Sequence, residues 1–198
     1  MSILRTMCSQ IGKWYYTREL AKHAGVSPWS VSQQFSKLVS EGMIRERTEG
    51  RERFYSLELS NAKTRKICEF FEIKRREDFL NKNRRVAWVS EEFARKSFDF
   101  IPEIQSIILY GSVARGEATS RSDVDVLVLV PNYEEKKFKE LMGSVDKLVS
   151  DISGRHPIRI SPVVMTVGDF EQSIKDKKRF ATDVLKDRIV LFGEERYY

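Results

Sequence analysis

The chain has 198 residues, 41% hydrophobic and 32% charged, enough for one larger domain or two small ones with a buried core and a well-solvated surface. Nothing repeats and nothing is of low complexity, and no apolar run approaches the length of a membrane span, so no membrane partner is expected. The net charge of +6 sits wholly in residues 1–83, with 16 Lys and Arg against 10 Asp and Glu. Residues 84–198 hold 19 of each, so a polyanionic partner is expected for the N-terminal part.

Cys8 and Cys68 lie far apart and lack zinc-site spacing, which predicts two reduced thiols rather than a disulfide framework. His23 and His156 stand in no metal-ligand pattern. Arg18 and polar neighbours interrupt any signal-peptide shape, and a cytoplasmic protein is expected.

In chain order, Thr17 to Ala24 places Leu20, Ala21 and Ala24 on one helical face, and Gly25-Val26 breaks it. Ser27-Pro28 then reads as a helix start, with Ser as N-cap and Pro in the first helical position. The helix that follows carries Val31, Phe35 and Leu38 on an inward stripe. Two short helices joined by a Gly-containing turn make a helix-turn-helix. After Gly42 the period changes. Met43 to Arg47 and Glu52 to Leu57 flank a polar tip at Thr48-Glu49-Gly50-Arg51, the pattern of a β-hairpin.

This succession, over Ile3 to Leu59, resembles the winged-helix family of DNA-binding domains. The second helix offers Trp29, Ser30, Ser32, Gln33 and Lys37 on its outer side, where Ser and Gln can meet base edges and Lys a phosphate. Trp29 has two readings, facing DNA or packing under the turn. The hairpin carries Arg45, Arg47, Arg51 and Arg53, suited to phosphates or a narrow minor groove. Double-stranded DNA is the expected partner, and a protein-interaction module is the alternative.

Asn61 to Asn83 reads as a helical connector, and Val86 to Phe100 as a second helix stopped by Pro102. Winged-helix regulators often dimerise to read two half-sites, and the 61–83 helix offers a surface for a homodimer. The expected organisation is a winged helix-turn-helix over 1–60, a connector over 61–83 and a further domain over 84–198.

In that last part, Ile107-Ile108-Leu109 is a buried strand that ends abruptly at Gly111-Ser112. A short helical turn follows, and Ser122-Asp123-Val124-Asp125 opens a second apolar strand through Val130. Gly111 lets the backbone approach a phosphate closely. Ser112 can donate its N–H and its hydroxyl, and Arg115, Gly116 and Ser122 can add phosphate contacts. Asp123 and Asp125, two apart on a strand, project from one face and suit a hard cation, Mg²⁺ or Mn²⁺, shared with a nucleoside triphosphate.

The stretch GSVARGEATSRSDVDVLVLV resembles the Gly-Ser … Asp-x-Asp motif of the polymerase β-type nucleotidyltransferase superfamily, above all its minimal members. The likeness runs from about Phe98 to Gly193, and its closing helix and strand are matched by Leu185 to Gly193. It implies an α+β fold: an N-terminal winged helix-turn-helix and a C-terminal mixed sheet with flanking helices. It also implies transfer of a nucleoside monophosphate to an acceptor, a protein among the candidates. Asp123 and Asp125 would then be the catalytic metal ligands, and Gly111 and Ser112 would hold the phosphates.

One departure stands out. Active members usually carry a third carboxylate on a later strand, here expected over Ile158 to Met165, where Arg159 and Ser161 occupy the corresponding face. Two readings follow: an enzyme, or a transcriptional regulator whose nucleotidyltransferase-like domain senses a metal-bound nucleotide.

Overall fold

The computed structural model describes residues 2–82, 84–119 and 122–193. Asn83 of the connector, Ser120 and Arg121 of the Gly-Ser motif, and residues 194–198 of the last predicted domain lie outside the described residues. The chain divides into two compact units, residues 1–73 and 74–197.

The first unit runs α1 (Ser2–Ser9), β1 (Tyr15–Tyr16), α2 (Thr17–Ala24), α3 (Pro28–Ser40), β2 (Ile44–Glu49), β3 (Glu52–Leu57) and the start of α4 (Ala62–Lys82). Local chemistry sets the breaks. Gly25 takes the left-handed conformation that caps α2, at φ 66°, and Ser27 accepts a hydrogen bond from the Ser30 N–H at 3.1 Å ahead of Pro28. The hairpin forms, with Ile44 opposite Leu57, but its strands run closer to the tip than expected: Thr48 and Glu49 belong to β2, with Glu49 opposite Glu52, so the turn is Gly50-Arg51. Asn61 caps α4, its side-chain oxygen accepting from the Lys63 N–H at 2.9 Å.

Strand order is β1-β3-β2, all antiparallel. Met7, Tyr15, Leu20, Val31, Phe35, Tyr55 and Leu57 close the core beneath it, and Phe35 meets Tyr55 edge-on at 4.8 Å. The elements α1 and β1 escape sequence reading because one turn-pair of helix and a two-residue strand are too short to show a period. The two cysteines, sixty positions apart, are buried and not joined in a disulfide, and their sulfurs lie 3.2 Å from one another.

The second unit is built on a mixed sheet of order β6-β5-β4-β7. Its strands are β4 (Ser106–Tyr110), β5 (Val124–Val130), β6 (Ile160–Thr166) and β7 (Ile189–Gly193). Strand β5 runs antiparallel to β4 and parallel to β6. Its residues Val126 to Val130 are all buried, which explains an unbroken apolar run: both faces are covered. On one face Val124, Val126 and Val128 join Val89 and Phe93 of α5 (Arg84–Phe100) and Val145, Leu148 and Ile152 of α7 (Glu135–Ser153). On the other, Leu127 and Leu129 meet Phe170 of α8 (Val167–Lys175) and Ala181 and Val184 of α9 (Arg179–Asp187). The remaining helix, α6 (Gly111–Arg115), links β4 to the loop before β5. Among the described residues no helix is long and apolar enough to cross a membrane.

Candidate functional site

Strand β4 delivers the chain directly into α6, and the turn between them is tight. Gly111 sits at φ 74°, in the left-handed region open to glycine. A Cβ there would stand 2.5 Å from Oδ2 of Asp125, so the absent side chain is what admits the Asp125 carboxylate. Gly116 ends α6 at φ 76°, and the Glu117 N–H donates to the Ser112 carbonyl at 2.9 Å. The turn thus folds back so that Gly111 and Ser112 share one corner with the head of β5.

Across the ladder, Tyr110 is the register partner of Asp125 on one side and Ser161 on the other. Alternation places Asp125 on the face that carries Leu127 and Leu129, with Asp123 two residues before it. Burial, and then the neighbouring charge of Asp123, raise the Asp125 carboxyl above the usual carboxylate range, while Arg115 opposes the rise. Burial and the Asp125 charge push Tyr110 up to about 12, and Phe180 meets its ring edge-on at 5.6 Å.

The predicted phosphate contacts fall into different places. Ser112 is half-buried in the corner with Gly111. Arg115 is held by two carboxylates, Glu117 at 2.7 Å and Asp187 at the end of α9. Ser122 is engaged in its own loop, its Oγ accepting from the Thr119 N–H at 2.9 Å. Asp187 was invisible to sequence reasoning as a site residue: it lies seventy-two positions from Arg115, and only the fold brings α9 under α6.

The strand expected to bear a third carboxylate is β6, and its register fixes the comparison. Ser161 lies beside Asp125, and the Arg159 carbonyl accepts from the Val124 N–H at 2.8 Å while its side chain is exposed. Among the described residues no group of three or more His, Cys, Asp or Glu is placed to hold a metal ion. The oxygen donors at the corner are therefore Asp123 and Asp125. That set would suit a hard divalent cation, which would relieve the Asp123 charge that adds to burial in raising Asp125.

In the first unit, Trp29 is 68% exposed, so it does not pack under the turn. Gln33 and Lys37 follow it on the open face of α3, Ser32 is half-buried, and Ser30 is bonded to the Ser27 hydroxyl at 2.9 Å. The hairpin arginines come with counter-charges: Arg45 with Glu58 at 3.6 Å, Arg47 with Glu49 at 3.4 Å and Arg53 with Glu46 at 3.4 Å. Arg47 also lies 4.4 Å over the Trp14 ring. Arg51, at the tip, makes no ion pair among the described residues.

A protein of Methanocaldococcus jannaschii named "Putative protein adenylyltransferase" is 29% identical over 111 residues, spanning 56% of this chain and 74% of that protein. A second protein of the same name and organism is 39% identical over 62 residues, spanning 31% of this chain and 60% of the relative. A crystal structure from Sulfolobus solfataricus, described as that of a "putative nucleotidyltransferase", aligns at 18% identity and a TM-score of 0.38, covering 64% of this chain and 91% of that one. Residues 91–191, just over half of the chain, match the nucleotidyltransferase domain family, and the chain belongs to that family.

Proposed function

We propose that the second unit binds a metal-bound nucleoside triphosphate at the Gly111–Asp125 corner and transfers its nucleoside monophosphate to a protein acceptor. The observation that carries this is the seating of the Asp125 carboxylate against the bare Cα of Gly111, with Asp123 beside it. Phosphates bound over Gly111 and Ser112 would then lie next to both carboxylates. Mg²⁺ or Mn²⁺ held there neutralises triphosphate charge. The chain's own contribution is placement: Gly111 leaves room, Ser112 offers donors, and the fixed β5 strand orients both carboxylates. In-line displacement at phosphorus is served mainly by such positioning and by charge stabilisation. The choice of a protein as acceptor, and of adenylate as the group moved, rests on the names borne by the two archaeal relatives.

The test is incubation of the full chain with labelled nucleoside triphosphates, a divalent cation and a cell lysate. Label appearing on a protein, and lost with Asp123→Ala, supports transfer. Metal-dependent nucleotide binding without any label transfer supports the second reading, a nucleotide sensor. Ser161 favours that reading, because it stands beside Asp125 on the strand where the family resemblance implies a further carboxylate.

We also propose that the first unit is a winged helix-turn-helix that binds double-stranded DNA through α3, in keeping with a transcriptional regulator. Support comes from the succession α1-β1-α2-α3-β2-β3, from the open row of Trp29, Gln33 and Lys37, and from the positive balance of residues 1–83.

A further inference from the structure

We propose that Cys8 and Cys68 form an oxidisable pair whose disulfide fastens α1 to α4. Both side chains are buried, at 1% and 0% exposure, and their sulfurs touch at 3.2 Å. A disulfide bond measures about 2.05 Å, so its closure asks for an approach of only about 1 Å. No other cysteine occurs in the chain to compete for either sulfur within the molecule.

The surroundings favour pairing over other fates. Ile3, Met7, Tyr15 and Phe71 belong to the same apolar cluster, which leaves little room for a bulky adduct such as glutathione on either thiol. A small two-electron oxidant, hydrogen peroxide, fits the site better. The thiolate of one cysteine attacks a peroxide oxygen, the O–O bond breaks, and the departing hydroxide takes a proton to become water. The resulting sulfenic acid is attacked at sulfur by the second cysteine, the S–O bond breaks, and a second water leaves with the remaining proton. Two thiols and one peroxide thus give one disulfide and two waters. Helix α1 has only eight residues, so its local opening is the natural route of access.

The bond would close a loop across sixty positions that contains α2, α3 and the β2–β3 hairpin. Long loops lose the most unfolded-state freedom on closure, so the oxidised first unit resists unfolding more than the reduced one.

The test exposes the intact chain to graded hydrogen peroxide, quenches it, denatures it and counts thiols by alkylation and intact mass. The expected result is a fall from two alkylatable thiols to none, a return to two after dithiothreitol, and a cross-linked peptide joining Cys8 to Cys68. The oxidised chain should unfold on the order of 10 °C higher, a difference that Cys8→Ser removes. Two thiols still alkylatable after the methionines have oxidised would overturn the proposal. So would thiol loss that dithiothreitol does not reverse, or a disulfide joining two chains.

Discussion

Ser161 lies directly beside Asp125 on the parallel β5–β6 ladder. Ser161 is therefore one position at which the third carboxylate expected from the family resemblance can be supplied. Ser161→Asp should tighten metal-dependent nucleotide binding. If transfer is limited by a missing base, it should also raise the rate by about 10²-fold or more. Label transfer and calorimetry on the two proteins check this. An unchanged rate with tighter binding would assign acceptor deprotonation to another group.

Gly111→Ala should harm both fold and site. The added methyl would meet Asp125 Oδ2 at 2.5 Å, on a backbone already in the left-handed region. A cost of about 1–3 kcal/mol is expected, read as a lower unfolding midpoint. Nucleotide affinity should fall with it, because the carboxylate must move away. Wild-type stability and affinity in this variant would remove Gly111 from the site.

Asp125→Asn should separate stability from binding. The folded-state pKa of Asp125 is raised, so the folded chain holds that proton more tightly than the unfolded one. Its charge therefore costs stability as pH climbs above the unfolded value, and the whole cost is present once pH exceeds the folded value. At neutral pH the amide should raise the unfolding midpoint while weakening metal-dependent nucleotide binding at least about tenfold. The stability gain should vanish in acid, where the native carboxyl is itself protonated. Melting curves across pH, paired with calorimetry, test both halves.

DNA binding by the full chain should weaken as salt rises, and Lys37→Ala and Arg51→Ala should each weaken it across all sequences. Trp29→Ala should instead change sequence preference. Arg45, Arg47 and Arg53 begin from ion pairs with Glu58, Glu49 and Glu46. They should add less to the salt slope than their number suggests. Binding unaffected by salt or by these changes would leave the first unit as a protein-interaction module.

Much of this was legible in the sequence where chemistry is local. Ser27-Pro28 announces its helix, Gly50 marks its hairpin, and the Gly-Ser and Asp-x-Asp spacing marks the corner between β4 and β5. Alternation over Ile158 to Met165 puts Arg159 and Ser161 on one face, and of the two only Ser161 falls within β6, beside Asp125. What escaped depends on distance in the chain. Asp187 reaches Arg115 only because α9 packs under α6, and Cys8 reaches Cys68 only because α1 packs on α4. The long helix α7 and the shorter α8 went unread, although Thr166 caps α8 by accepting from the Asp169 N–H. The arginine-glutamate pairing of the hairpin escaped because cross-strand partners are set by register, which a list of basic residues does not reveal.

Strand β5 is flanked by β4 and β6 and dry on both faces, and it carries Asp125 near its first residue. Amides in such a strand exchange with solvent only when the whole unit opens. The carboxylate corner is thus mounted on the last part of the domain to come apart, and hydrogen exchange along Val126 to Val130 should report global rather than local opening. On heating, nucleotide affinity should persist until the unit itself melts.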